Sequence, residues 1–95
     1  MFVPILLGSD SDREHAEKIA EWLKKFDVPY EIKVVSAHKV PEMLIEYIEQ
    51  KNKEKDVVYI TIAGRSNGLS GVTAGSSVHP VIACPPFKDK ADYLV

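Results

Sequence analysis

The sequence predicts a three-layer α/β fold, in which helices cover both faces of a parallel sheet. Short apolar segments alternate with helical patterns along the 95 residues, in the order β-α-β-α-β-α-β. Strands that alternate with helices form parallel sheets through right-handed crossovers. A polar loop after the first strand and an edge-like second strand fit the flavodoxin-like strand order 2-1-3-4.

The composition is that of one globular domain. Apolar residues make up 45% of the chain, and 14 acidic against 12 basic residues give a net charge of -2. No basic stripe is visible, and no apolar run approaches the roughly 20 residues that span a bilayer, so we expect neither nucleic acid nor membrane as a partner. The N-terminus enters a strand pattern directly, and we expect no signal peptide. The single cysteine, Cys84, cannot form an internal disulfide, and we expect a buried thiol in a reducing, cytoplasmic compartment.

The first strand and helix are predicted from apolar spacing. Residues 3–7 form a short apolar run ended by Gly8, and small polar residues follow. Ser11 or Asp12 is expected to cap the next helix. Residues of that helix recur at intervals of three and four and predict one buried stripe: Ala16, Ile19, Ala20, Leu23 and Phe26. Trp22 flanks the stripe, where we expect packing at a helix or subunit contact.

The rest of the chain repeats this alternation. Strands are predicted at residues 30–35, 57–63 and 81–84, and helices from Pro41 and over 70–78. Charges alternate with apolar residues in the second strand, which predicts an edge strand. The third strand is apolar and is expected to be covered on both faces. The fourth strand is equally apolar, but in the order 2-1-3-4 it is the last strand, so we expect it to have an open edge that needs cover from further structure. The second helix has an apolar stripe of Met43, Leu44, Tyr47 and Ile48. Residues 51–56 are expected to form a solvated loop, and 87–95 have no clear assignment.

Three small polar loops follow the first three strands, at residues 8–12, 36–39 and 64–68. The carboxyl ends of parallel strands lie at one edge of a sheet, and ligands bind there, at the switch point between the first and third strands. The three loops together therefore predict a small-molecule site at that edge.

The first loop offers groups for an anion and a sugar. Ser9 and Ser11 supply hydroxyls beside a helix N-terminus, and Asp12 is an acceptor for ribose hydroxyls. A simple capping run is the alternative. A magnesium site of the receiver-domain kind, formed by Asp10 and Asp12, is excluded, because the third strand ends in Ala63 and glycine rather than in a phosphoacceptor aspartate.

The other two loops suggest acid/base chemistry and close backbone approach. Ser36, His38 and Lys39 place a hydroxyl, an imidazole and an ammonium within four positions, which suits proton transfer on a phosphorylated small molecule. A polar turn with solvated side chains is the alternative, and a cobalamin motif (Asp-x-His-x-x-Gly) is not present there. The glycines of 64–68 would let backbone N–H groups approach a carboxylate or a flat heterocycle, or simply form a glycine-rich turn.

These motifs resemble the phosphoribosylaminoimidazole carboxylase family of purine biosynthesis. The resemblance rests on Gly-Ser-Asp-Ser-Asp at 8–12, Ser-Ala-His-Lys-Val-Pro at 36–41 and Ala-Gly-Arg-Ser-Asn-Gly-Leu at 63–69, and it covers nearly the whole chain. The mutase class of the family usually has Ser-Ala-His-Arg and a longer glycine-rich loop. Lys39 and the short third loop therefore look like the class II carboxylase, which is also fused into a bifunctional animal enzyme.

The resemblance implies carboxylation of 5-aminoimidazole ribonucleotide by CO2, with no biotin, ATP or metal. It implies that Ser11, Ser36 and Lys39 hold the phosphate and that Asp12 holds the ribose hydroxyls. Ser9 and His38 would lie by the imidazole ring, and Gly64, Ser66, Asn67 and Gly68 would form the carboxylate side. Ala37 belongs to the same substrate-binding motif, and His38 and Lys39 are the implied catalytic residues. His38 is expected to accept the ring proton, whereas His15 and His79 are expected to be structural or exposed.

Two departures and two alternatives accompany this interpretation. Val40 stands where many relatives have Thr or Gly, so a possible hydroxyl cap is lost. Relatives continue through a fifth strand and further helices, so we expect residues 1–95 to be a single, C-terminally truncated domain of a homo-oligomer, an octamer being the form often found in the family. The alternatives are N-carboxyaminoimidazole ribonucleotide mutase and a non-catalytic nucleotide-binding domain.

Overall fold

The computed structural model describes residues 1–35, 41–63 and 68–84. The elements are β1 (Val3–Leu7), a 3-10 turn (Asp10–Asp12), α1 (Arg13–Lys25), β2 (Tyr30–Val34), α2 (Pro41–Lys51), β3 (Tyr59–Ile62), α3 (Gly68–Ser76) and β4 (Val81–Ala83). This alternation of strands and helices confirms the prediction. In the described ranges no helix is long and apolar enough to cross a membrane.

The four strands form one parallel sheet in the order β2-β1-β3-β4, as predicted. Leu7 of β1 is in register with Val34 of β2 and with Ile62 of β3. Thr61 of β3 is in register with Ala83 of β4. The strands therefore end together at one edge of the sheet, which is the edge where the predicted site lies.

Two apolar clusters, one on each face of the sheet, make up the core. The cluster on the α1 face contains Val3, Ile5, Leu7, Ala16, Ala20 and Ile62. The cluster on the α2 and α3 face contains Leu6, Val35, Leu44, Ile48, Val57, Tyr59 and Leu69. All five residues of β1 are buried, because β1 is a central strand and its side chains alternate between the two clusters. The three-layer arrangement is confirmed.

The helical stripes are partly as predicted. Ala16 and Ala20 are buried in α1, but Phe26 is 71% exposed, because α1 ends at Lys25 and the chain turns away through Asp27, whose φ is 56°. The Phe26 ring instead stacks on Trp22, with ring centroids 6.5 Å apart. In α2, Leu44 and Ile48 are buried and Tyr47 is half-buried.

Met43 is 58% exposed, so its predicted place in the buried stripe of α2 is wrong. Leu44 and Ile48 lie one turn apart and define the direction of the core. Met43 precedes Leu44 by one position, which turns its side chain about 100° around the helix axis, away from that direction.

The segment after α2 is more than a solvated loop. The Asn52 side chain donates to the carbonyl of Ser76 and accepts from the N–H of Val78, both at 3.0 Å. His79 Nε2 lies 3.0 Å from the carbonyl oxygen of Lys51. The predicted exit loop therefore fastens the end of α2 to the connection between α3 and β4.

The outer strands differ from one another. The prediction that β2 lies at the edge is confirmed. β4 was expected to need cover from further structure, and in agreement Ile82 is 51% exposed and Ala83 is exposed, so within the described part of the chain its cover is incomplete. Cys84 follows β4 and is half-buried against the α1-face cluster, and this burial raises the pKa of its thiol.

Candidate active site

A row of hydrogen bonds continues the sheet at its carboxyl edge. The N–H of Val35 donates to the carbonyl of Leu7 at 2.7 Å, and the N–H of Gly8 donates to the carbonyl of Ile62 at 2.8 Å. The N–H of Cys84 donates to the carbonyl of Thr61 at 2.8 Å. These bonds hold the exits of the strands side by side, so the three predicted loops start from adjacent positions.

The described residues account for part of the predicted site. Ser9, Ser11 and Asp12 lie in the loop after β1, and Gly68 is the first residue of α3. The remaining predicted site residues lie outside the described ranges: Ser36, Ala37, His38, Lys39, Gly64, Ser66 and Asn67. The structure thus places the β1 loop itself and the points at which the chain enters the other two loops, after Val35 and after Ala63.

Gly8 suits this edge because the chain segments that leave β1 and β3 approach closely there. A Cβ atom at Gly8 would lie 3.2 Å from the Cβ of Ala63, which is tighter than an ordinary van der Waals contact. No glycine in the described ranges has a positive φ, so the role of Gly8 is close packing rather than a left-handed backbone. β1 and β3 can therefore leave the sheet side by side at the switch point.

The loop after β1 forms a single 3-10 turn whose cap is Ser9. Ser9 is extended, with φ -154° and ψ 150°, and its Oγ accepts the N–H of Ser11 at 3.3 Å. The prediction that Ser11 or Asp12 caps the helix is wrong: Asp12 precedes α1, but its backbone is already helical and its carboxylate makes no capping bond. A cap residue needs an extended backbone for its side chain to turn back onto the helix, and here the inserted 3-10 turn moves that conformation to Ser9.

Two hydroxyls and a carboxylate are presented together by this turn. Ser9 Oγ and Ser11 Oγ are 2.9 Å apart and exposed, and Asp12 is half-buried beside them. Hydroxyls at the start of a helix donate readily to anionic oxygens, and a carboxylate accepts hydrogen bonds from a diol. The turn is therefore suited to a phosphorylated sugar.

The Asp10 carboxylate is paired with a cation on the first residue of α1. Arg13 Nε donates to Asp10 Oδ1 at 3.0 Å, and the two side chains are 45% and 82% exposed. Sequence reasoning missed this ion pair, although opposite charges three residues apart at a helix start are the signal for it. Across the described ranges no three His, Cys, Asp or Glu side chains are grouped so as to hold a metal ion.

The two histidines of the described ranges lie on other elements. His79 precedes β4, at the opposite edge of the sheet, where its ring nitrogen contacts the carbonyl of Lys51. His15 is half-buried on α1. The structural role expected for His79 agrees with this contact.

Comparisons with known proteins match this fold and these motifs. The family model described as AIR carboxylase matches residues 2–95. Phosphoribosylaminoimidazole carboxylase of Archaeoglobus fulgidus is 46% identical over 86 residues, which are 90% of this chain and 47% of that protein. N5-carboxyaminoimidazole ribonucleotide mutase of Aquifex aeolicus is 45% identical over 83 residues, which are 87% of this chain and 50% of that protein.

The fold is also that of a solved relative. The crystal structure of Treponema denticola PurE superposes with a TM-score of 0.90 at 45% sequence identity, covering 98% of this chain and 61% of that one. The chain spans about half the length of the Archaeoglobus and Aquifex relatives. With a family match along almost its entire length and the same fold as a solved member, the chain belongs to the AIR carboxylase family.

Proposed function

We propose that the protein carboxylates 5-aminoimidazole ribonucleotide with CO2, giving 4-carboxy-5-aminoimidazole ribonucleotide in purine biosynthesis. The observation that carries this proposal is the family match over residues 2–95, which includes all three loop motifs. The name of the Archaeoglobus relative, phosphoribosylaminoimidazole carboxylase, supports the same reaction. The reaction needs no cofactor, because the enamine-like ring carbon of the substrate is itself the nucleophile.

The substrate is held by its phosphate and its ribose. In the proposed arrangement Ser11, Ser36 and Lys39 bind the phosphate, and Asp12 binds the ribose hydroxyls. The exposed hydroxyl of Ser11 and the half-buried carboxylate of Asp12, adjacent on the 3-10 turn, support this division of roles. Ser9, whose Oγ is 2.9 Å from that of Ser11, lies on the ring side.

The chemistry is one carbon–carbon bond formation followed by one proton transfer. The ring carbon attacks CO2, so that it bears both a hydrogen and a carboxylate. The carbon–hydrogen bond then breaks, the electron pair returns to the ring, and His38 takes the proton. An imidazole with an ordinary pKa near 6.5 suits this role at neutral pH. Gly64, Ser66, Asn67 and Gly68 would hold the new carboxylate, and the rate gain comes from positioning CO2 against the ring.

The mutase is the second candidate, and one relative favours it. The Aquifex protein, at 45% identity, is named N5-carboxyaminoimidazole ribonucleotide mutase. That reaction moves a carboxyl group from the exocyclic nitrogen to the ring carbon of the same nucleotide. Lys39 in place of arginine, and the short loop at 64–69, favour the carboxylase. A non-catalytic nucleotide-binding domain is the third candidate.

Parallel assays with the two substrates separate the three candidates. The protein from its natural reading frame is given aminoimidazole ribonucleotide with and without bicarbonate, and separately its N-carboxylated form. We expect bicarbonate-dependent product from the first substrate. Turnover of the N-carboxylated substrate alone would indicate the mutase, and binding without turnover of either would indicate a binding domain.

The remaining expectations about partners follow from this function. We propose that residues 1–95 are one α/β domain of a cytoplasmic homo-oligomer that acts on a small phosphorylated substrate. The half-exposed Ile82 of β4 supports association with further structure. The molecular mass of the protein in solution tests this part of the proposal.

A further inference from the structure

We infer that the ion pair between Asp10 and Arg13 positions the Ser9 and Ser11 hydroxyls for the phosphorylated substrate and shields that substrate from the Asp10 charge. This inference rests on the proposed function, because it concerns the same loop. Neither side chain is given a contact with substrate: both act through the 3-10 turn that carries the hydroxyls. We call the pair the 10–13 ion pair.

Two interactions between Ser9 and Ser11 help to hold the 3-10 turn in shape. Ser9 Oγ accepts the N–H of Ser11 at 3.3 Å, which is long for this kind of bond, and it also contacts Ser11 Oγ at 2.9 Å. Both interactions use hydroxyls that the substrate would engage. When both hydroxyls donate to the substrate, neither is left to donate to the other, so the bond between the two Oγ atoms is lost and only the long bond from the Ser11 N–H remains.

The 10–13 ion pair supports the turn without using either hydroxyl. Arg13 is the first residue of α1, and its Nε reaches back 3.0 Å to Asp10 Oδ1 at the start of the turn. The bond therefore spans the turn from end to end. Among the described residues it is a side-chain restraint on this loop that can persist while Ser9 and Ser11 bind a ligand.

The negative charge of Asp10 also affects a ligand bound at the turn. Asp10 is 82% exposed and is adjacent in sequence to both serines. A carboxylate there, left alone, would repel a phosphate or a carboxylate bound at the turn. Arg13, whose Nε lies 3.0 Å from Asp10 Oδ1, partly offsets this charge. Removing Arg13 therefore loses the restraint and exposes a negative charge, whereas removing Asp10 loses the restraint and leaves a positive one.

These two effects predict an order of KM values rather than a uniform loss. We expect Arg13→Ala to raise KM about fivefold at low salt, near the upper end for an exposed pair. Asp10→Ala should stay within about twofold of the parent, since the remaining cation offsets the lost restraint. The double variant should lie between the two, and Arg13→Lys should recover most of the Arg13→Ala loss. The kcat should stay within about twofold throughout, because the pair does not touch the reacting atoms.

A matched control exists at the other edge of the sheet. Lys51 and Glu54 form an ion pair of the same spacing and the same 3.0 Å length, remote from the loop after β1. Glu54→Ala should leave KM unchanged. At about 1 M salt the screening length falls to about 3 Å, so the exposed Asp10 charge should matter less. The KM of Arg13→Ala relative to the parent should then fall toward the KM of the double variant relative to the parent.

A binding measurement separates this inference from the proposed reaction. The dissociation constant of ribose 5-phosphate is measured by calorimetry for the parent protein, Arg13→Ala, Asp10→Ala and Glu54→Ala. If the parent binds ribose 5-phosphate but does not turn over aminoimidazole ribonucleotide, and Arg13→Ala binds more weakly than Asp10→Ala, the positioning role is supported and the proposed reaction is contradicted. Equal KM and binding constants in Arg13→Ala and Glu54→Ala overturn the inference, as does a parent that neither binds nor turns over.

Discussion

At the scale of single residues, the candidate site divides into groups that bind and a group that reacts. Ser9, Ser11 and Asp12 lie at a 3-10 turn that exposes both hydroxyls, and their proposed role is to hold the ligand. His38 is the proposed base, and Lys39 the proposed phosphate cation. Replacing each of the last two should therefore change a different kinetic constant.

Replacing His38 by Asn should lower kcat about 10²-fold or more while the substrate still binds, because only proton removal is lost. Lys39→Ala should instead raise KM with a small change in kcat, since a phosphate contact stabilises the ground state and the transition state alike. Steady-state kinetics with aminoimidazole ribonucleotide and bicarbonate measure both effects. Turnover of His38→Asn close to that of the parent would remove His38 from the mechanism, and a pure kcat loss in Lys39→Ala would move that residue to the CO2 side.

At the scale of elements, side-chain contacts on α2 join it to its neighbours. Tyr47 donates a hydrogen bond to Glu31 of β2 at 2.8 Å, and the ammonium of Lys33 lies 4.6 Å from the centre of the Tyr47 ring. At its other end, α2 is followed by Asn52, which binds the connection between α3 and β4.

The stability of the fold at alkaline pH should depend on Tyr47. Burial, followed by the hydrogen bond to Glu31 and its charge, raises the pKa of Tyr47 above the ordinary value of 10.0. An unfolded chain ionises this phenol more readily than the folded one, so the stabilising contribution is complete below pH 10 and falls as the pH rises beyond it. Urea unfolding from pH 8 to pH 11 should show this fall, and Tyr47→Phe should reduce its steepness. Identical pH profiles for the two proteins would contradict the prediction.

The stability of the fold should also depend on the side chain of Asn52. Asn52→Ala leaves the Ser76 carbonyl and the Val78 N–H without their partner, and should lower the free energy of unfolding by about 1–3 kcal/mol. The exposed neighbour Gln50 is the control, and Gln50→Ala should change it by less than about 0.5 kcal/mol. Equal losses in the two variants would show that Asn52 does not fasten α2 in solution.

The elements also show which features the sequence can predict. β1 was predicted with its observed limits, because its apolar run is ended by Gly8. β3 is shorter than predicted: Val57 makes only an isolated bridge to Phe2, so apolar character extends beyond the paired strand. Phe26 and Met43 were misplaced because periodicity does not state where a helix ends or which of two adjacent residues faces the sheet.

At the scale of the whole molecule, the strand order explains why the position of the site could be predicted from the sequence. Parallel pairing alone brings the ends of β1, β2 and β3 to one edge, which is why three separated motifs could be predicted to meet there. The Ser9 cap could not be predicted in this way, because it depends on a 3-10 turn inserted before α1. The 10–13 ion pair does not follow from topology either, and its signal is the local spacing of opposite charges. The apolar sequence of β4 predicted that this last strand needs cover from further structure, and among the described residues Ile82 is half-exposed.

The state of residues 1–95 as an isolated polypeptide follows from that exposure. A domain of this size buries only about 60–70% of the surface of its unfolded chain, which leaves little margin, and Ile82 lies on the outermost strand, β4. We expect this polypeptide alone to aggregate or remain partly unfolded, without carboxylase activity. Light scattering should show that Ile82→Lys reduces aggregation more than Val78→Lys, a control in the connection before β4 where Val78 is 74% exposed. A cooperative melt, a monomeric mass and turnover from residues 1–95 alone would contradict this expectation.

The central claim is that the new carboxylate comes from dissolved CO2, and an isotope measurement tests it most directly. The protein from its natural reading frame is incubated with unlabelled aminoimidazole ribonucleotide and ¹³C-bicarbonate, and the product is analysed by mass spectrometry during the first turnovers. We expect the product carboxylate to carry the ¹³C label at the enrichment of the bicarbonate pool. We also expect His38→Asn to form almost none of this product during the same period. Labelled product that forms no faster than in the absence of protein, together with rapid formation of unlabelled product from the unlabelled N-carboxylated nucleotide, would contradict it.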